Sequence, residues 1–225
     1  MNDASEAAPA SDRVRLRRGA KHGRYDRQEV ISVLDGGLLA HLGVNTPQGP
    51  VVIPMAYGHD GDRLYLHGAA ANAALRAAIG EDACATVTVV DGLLMGRSSF
   101  HNGMRYRSAV VRGIVQAVDD EAERMRALHI ITDHVVENWA TGRPPTATEL
   151  RRTLVVALDL TESSAKIRTG DPSDEPGDVE TDHWAGAVPI VAAWGPLEPA
   201  ANLRPGIAPP DPIAALPGRS VAPPP

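Results

Sequence analysis

The sequence predicts a mainly β domain, a small barrel decorated by helices, and three observations predict it. Short runs rich in β-branched and apolar residues recur from Leu38 onward: "LLAHLGVN", "PVVIPMAY", "DRLYLHG", "ACATVTVV" and "AVVRGIVQAV". Turn chemistry such as "NTPQGP" and "GHDGD" separates the first three at spacings too short for parallel crossovers, so antiparallel hairpins are expected. Helical patterning is confined to a few segments, which leaves the sheet as the main layer.

Residues 1–20 are small, polar and charged, and read as a disordered or loosely attached arm. "YDRQEVISVLDGG" is a compact helix: Asp26 caps it, Glu29 stands three residues on, and Val30, Ile31, Val33 and Leu34 supply the apolar face before Gly36-Gly37 stop it. After three strands, Asn72 to Ile79 forms a short Ala-rich helix ended by Gly80. "DDEAERMRALHIITDHVVENW" is the longest helical segment, with Met125, Leu128, Ile131, Val135 and Trp139 recurring at helical spacing as a core stripe. "TLVVALDLTESSAKIRTG" is expected to close the sheet. The domain then spans 21–190, and 191–225, with ten of the chain's nineteen prolines, reads as a disordered or polyproline-like tail.

A net charge of −6 disfavours a nucleic-acid or anionic-membrane partner, because no general positive field exists to gather either. The N-terminus lacks the basic and apolar stretches of a signal peptide, and no run reaches the length of a membrane span, so the expected location is cytoplasmic. The single cysteine, Cys84, sits in an apolar run and reads as a small buried hydrophobe. Eight histidines form no HxH or HExxH spacing, and His129 and His134 lie about 140° apart on a helix, so no metal site is expected. P-loop, GxSxG and GxGxxG signatures are also missing, and the carboxylates of "DDEAE" and "DPSDEPGD" read as solvated surface.

The basic residues carry more information. "GRSSFHNGMRYRSAVVRG" gathers Arg97, Arg105, Arg107 and Arg112 with Ser98, Ser99, His101, Tyr106 and Ser108 in one connection between strands. Guanidiniums with hydroxyls suit a phosphate or carboxylate ligand. The alternative is a surface loop that partners nearby acids.

Four segments in order, "RYDRQEVISVLDGG", "VVIPMAYGHDGDRLYLHGA", "VTVVDGLLMGRSSFHNGMRYRSAVVRG" and "SAKIRTGDPSDEPGD" followed by "HWAGAVPI", cover about residues 24–190. In these the sequence resembles the flavin-nucleotide-binding split barrels related to pyridoxamine 5′-phosphate oxidase, in the branch that includes nitroimidazole-resistance nitroreductases. The resemblance implies a six-stranded antiparallel Greek-key split barrel, a homodimer and FMN in the cleft between subunits. It implies an oxidoreductase that passes electrons from NAD(P)H through flavin to a small acceptor such as a nitro compound. Ile53, Pro54, Met55 and Ala56 would wall the isoalloxazine ring, with Pro54 at an edge or cleft-lining position. His67, beside Gly68, falls at the position of that branch's active-site histidine. Arg107 and Ser108 would face the flavin, Lys166 and Arg168 would be cleft cations, and Trp184 would wall the site.

One stretch departs from the oxidase pattern. Where relatives carry Ser, Arg and Lys around the FMN phosphate, this chain reads Ala70-Ala71-Asn72-Ala73, leaving Asn72 as the side-chain donor. The alternatives are therefore a deazaflavin, or haem with His67 or His101 as axial ligand, and a carrier or sensor in place of an enzyme.

Overall fold

The computed structural model describes residues 7–222. Its elements follow the chain in the order β1 (Gly23–Arg24), α1 (Arg27–Gly36), β2 (Ala40–Thr46), β3 (Gly49–Met55), β4 (Tyr57–His59), β5 (Arg63–Ala69) and α2 (Ala73–Ala78). The long strands β6 (Asp82–Met95) and β7 (Gly103–Ile114) come next, followed by β8 (Gln116–Ala117), α3 (Glu121–Asp133) and α4 (Ala147–Arg151). The rest comprises β9 (Thr153–Asp159), β10 (Ser163–Arg168), α5 (Pro176–Val179), β11 (Gly186–Pro189) and α6 (Asp211–Ala214).

All pairings between named strands are antiparallel, as the short turns require. One sheet runs β1-β10-β7-β6-β2-β3 with β11 on the far end of β6, and the other runs β4-β5-β9-β8. The barrel is thus split into two sheets and left unclosed. The segment expected to make one closing strand makes two, β9 and β10, and they enter different sheets. Leu34, Leu42, Leu64, Leu66, Leu75, Val87 and Leu158 fill the space between the sheets and are fully buried. Such apolar burial is the dominant favourable term in folding.

On β5 the period of two decides the site. Leu64 and Leu66 face the main core, whereas Tyr65 is buried in a second cluster with Ala127 and Ile131 of α3 and Val155 and Ala157 of β9. The residue two beyond Tyr65 on that outer face is His67.

α1 starts and stops as expected. The Asp26 carboxylate accepts the Gln28 N–H at 2.8 Å, and Glu29 pairs with Arg24 at 3.0 Å. α3 is shorter than the stripe predicts. Its last residue, Asp133, accepts the N–H groups of Asn138 at 2.8 Å and Trp139 at 2.7 Å, which turns the chain before Val135 and Trp139 can continue the helix.

The termini are more engaged than composition suggests. Val14 is only 3% exposed, Arg13 pairs with Asp82 and Glu162, and the Leu16 N–H donates to the Tyr25 hydroxyl, so this part of the expected loose arm lies against the barrel. The proline-rich segment after Ile190 is mostly exposed, but Ala193 bridges Ser220 and Val221 donates to the Ala192 carbonyl, so the segment closes on itself. No helix among the described residues is long and apolar enough to cross a membrane.

Candidate functional site

His67 lines a cavity of about 470 Å³ on the outer face of the smaller sheet, open to solvent on one side. Leu128 and Thr132 of α3, Trp139, and Leu150 and Thr153 at the end of α4 and start of β9 make the other walls. Each wall is fixed by local chemistry. Asp133 places Trp139 through two backbone hydrogen bonds and holds His129 at 2.8 Å, and His129 stacks on the Trp139 indole at 5.2 Å. Thr146 and Glu149 form a capping box that starts α4, and Arg143 clamps Glu149 with two hydrogen bonds at the rim.

The His67 Nδ1 is buried and has no hydrogen-bond partner. Burial also lowers its pKa, which keeps the imidazole neutral. That nitrogen is closed off from solvent, so the ring meets the cavity through its other atoms. The neutral ring has the protonation state a metal-ligating histidine needs. His101 has no such setting: it sits on a turn between β6 and β7, 4.0 Å from Glu175, outside the cavity.

The remaining residues singled out from sequence do not gather around His67. Pro54 lies on the edge strand β3 and is exposed with Ala56, whereas Met55 is buried and Ile53 half-buried against the core, so these four do not share one face. Gly68 lies under Leu75 and Met55, and the Asn72 Oδ1 accepts the Leu75 N–H at 3.0 Å as the N-cap of α2. Its acceptor is committed to the helix. Ser108 lies opposite Lys166 in the β7–β10 register, and Trp184 is 66% exposed, folded over Gly186.

Arg107 is turned into the protein. It is 5% exposed and donates twice to Asp91, the extra residue of a bulge between Val90 and Gly92. Arg97 likewise pairs with Asp174 at 2.7 Å, and Arg105 donates to the Gly170 carbonyl and faces Asp171. The arginine cluster is mainly a set of internal structural contacts. Trp139, read from its spacing as part of the core stripe, lines the cavity instead, and Arg143 and Leu150 escape a periodicity reading, although "RPPTATEL" carries a readable breaker and capping box at that rim.

A family model of pyridoxamine 5′-phosphate oxidase matches residues 26–167. The flavocytochrome Anf3 from Azotobacter vinelandii is 33% identical, covering 93% of this chain and 99% of its own, with a TM-score of 0.89. A FAD- and haem-binding protein from Mycobacterium smegmatis is 31% identical over 89% of this chain and 99% of its own, with a TM-score of 0.84. A 5-nitroimidazole antibiotic resistance protein from Bacteroides thetaiotaomicron is 24% identical over 64% of this chain and 86% of its own, with a TM-score of 0.55, a likeness of fold. No protein with a curated functional description matches the chain.

Proposed function

The chain belongs to the pyridoxamine 5′-phosphate oxidase family, and from that premise we propose that it is a redox protein holding a flavin and a haem, with His67 as the residue that would hold the haem iron. The observation that carries the reading is the His67 imidazole, favoured in its neutral form by burial and set in the wall of the cavity. Two relatives that align over about nine-tenths of the chain are described as a flavocytochrome and as a FAD- and haem-binding protein, which supports the pairing of cofactors.

Leu128, Leu150 and Trp139 would give the macrocycle apolar walls. A flavin paired with a haem supplies both two-electron and one-electron chemistry. The chain's own part is to keep His67 neutral by burial and to hold Trp139 in place through Asp133. FAD is proposed over FMN, because the start of α2 offers no cationic side chain and Asn72 is used as a cap. The electron donor in this reading is a reduced nicotinamide, and the acceptor is a small molecule entering where the cavity opens. Exposed apolar side chains at Val51 and Val52 of β3 and at Val188, Ile190 and Val191 support a homodimer.

The test is the absorption spectrum of the purified protein, with released cofactors identified by mass. A Soret band together with oxidised-flavin bands is expected, and His67→Ala is expected to lose the Soret band and keep the flavin. A Soret band that survives His67→Ala unchanged, or protein that carries flavin and takes up no haem, overturns the proposal.

A further inference from the structure

A second cleft, of about 430 Å³, lies between the N-terminal segment and the end of β10, lined by Arg18, Lys21, His22, Lys166 and Arg168. This is a concentration of positive charge in a protein whose net charge is −6. Among the described residues, none of Arg18, Lys21, Lys166 and Arg168 forms an ion pair with a carboxylate of the chain. The one carboxylate in the lining, Asp171, faces Arg105 at 3.5 Å. Burial, then the charges of Lys21, Arg168 and Lys166, lower the His22 pKa, so the cations project one field into the cleft.

The shape keeps that field open. Gly19 has φ of +68°, a left-handed conformation that glycine takes without strain, where the N-terminal segment passes the Lys166 Nζ. Lys166 Nζ lies over the Tyr106 ring at 5.6 Å, and the Arg168 guanidinium lies along Gly103. Two guanidiniums and two ammoniums around one cavity match an extended, multiply charged phosphate, and Arg gives the planar fork that Lys lacks. A single carboxylate ligand would leave most of them unpaired.

We infer that this cleft binds the diphosphate of a dinucleotide. The inference rests on the flavin reading above and deepens it, because the start of α2 lacks the cations a phosphate cradle needs and this cleft supplies them. The same chemistry can come from the flavin's own diphosphate or from that of a nicotinamide donor, and the experiment separates them.

Inorganic pyrophosphate is titrated calorimetrically into the purified holoprotein at low salt, alongside Lys166→Gln/Arg168→Gln and, on the opposite wall, Lys21→Glu. Flavin content and melting temperature are measured for each. Pyrophosphate binding that weakens by about tenfold or more in both variants, with flavin retained, assigns the cleft to the donor. Holoprotein that takes no pyrophosphate, while both variants fold and lose flavin, assigns it to the flavin. Variants that keep their flavin while pyrophosphate binding is absent or unchanged overturn the inference and leave the flavin proposal standing. Protein that never carries flavin overturns that proposal, and the pyrophosphate titration then decides the cleft alone.

Discussion

Arg107 donates from Nε to Asp91 Oδ2 at 3.0 Å and from Nη2 to Oδ1 at 2.7 Å, and both side chains are more than nine-tenths buried. The bulge at Asp91 aims the carboxylate across the β6–β7 ribbon, and the Asp91 carbonyl accepts the Ile190 N–H at 3.0 Å beside β11. A buried ion pair of this kind positions strands more than it adds stability, yet removing one partner strands the other. Arg107→Ala is expected to destabilise the protein by about 3–5 kcal/mol in urea unfolding. Arg107→Ala combined with Asp91→Asn should recover part of that loss. A loss below about 1 kcal/mol in the single variant would remove the structural role assigned here.

Restoring an imidazole should restore the haem. His67→Gly protein is expected to lack the Soret band and to regain it when imidazole and haem are added together, since the cavity opens to solvent. Haem uptake that is indifferent to imidazole would count against ligation by His67.

Asn72 separates a cap from a cradle. As the N-cap of α2 its loss in Asn72→Ala should cost about 1 kcal/mol, and Asn72→Asp should cost little because the carboxylate caps as well. Flavin content should be unchanged in Asn72→Asp. A fall in flavin content there would show phosphate held beside residue 72, where a carboxylate repels it.

Stability should fall with acid. Burial lowers the His134 pKa below its ordinary 6.5, the charge of His59 adds to this, and the Gly37 carbonyl and Asp35 oppose it. The unfolded chain therefore takes the proton first, so the contribution is intact above about pH 6.5 and is lost as pH falls through the lowered folded value. Urea midpoints should drop between pH 7.5 and pH 5.5. His134→Asn should shrink that drop without abolishing it, because His22 and His67 shift in the same direction.

Gly58 is a packing requirement. A Cβ there would lie 2.7 Å from the Ile130 carbonyl oxygen and 2.8 Å from its carbon, backbone atoms that cannot rotate away. Gly58→Ala should push α3 off β4 and cost about 1–3 kcal/mol, seen as a lower melting temperature. An unchanged melting temperature would show that α3 sits further from the sheet.

The sequence by itself determined the elements whose cause is local. The Asp26 cap and apolar face of α1, the Asn72-to-Gly80 helix and the β2–β3 hairpin follow from neighbours a few residues apart, so pattern and turn chemistry suffice, whereas the run "PVVIPMAY", read as one strand, divides between β3 and β4 in different sheets. The resemblance singles out His67 among the eight histidines. Tertiary structure alone decided what surrounds it. The cavity joins residue 67 to 128, 139 and 150, brought together by the face of β5 and the turn at Asp133, and no period in the chain encodes that meeting. It also decided which arginines are free to act. Asp91 and Asp174 lie 16 and 77 positions from Arg107 and Arg97, and a guanidinium with a buried carboxylate against it reads in sequence the same as one facing a ligand. The basic cleft formed for the same reason: β1 pairs with β10 across the chain, which sets the segment before β1 beside the end of β10, and charge accumulates only where the fold brings the two together.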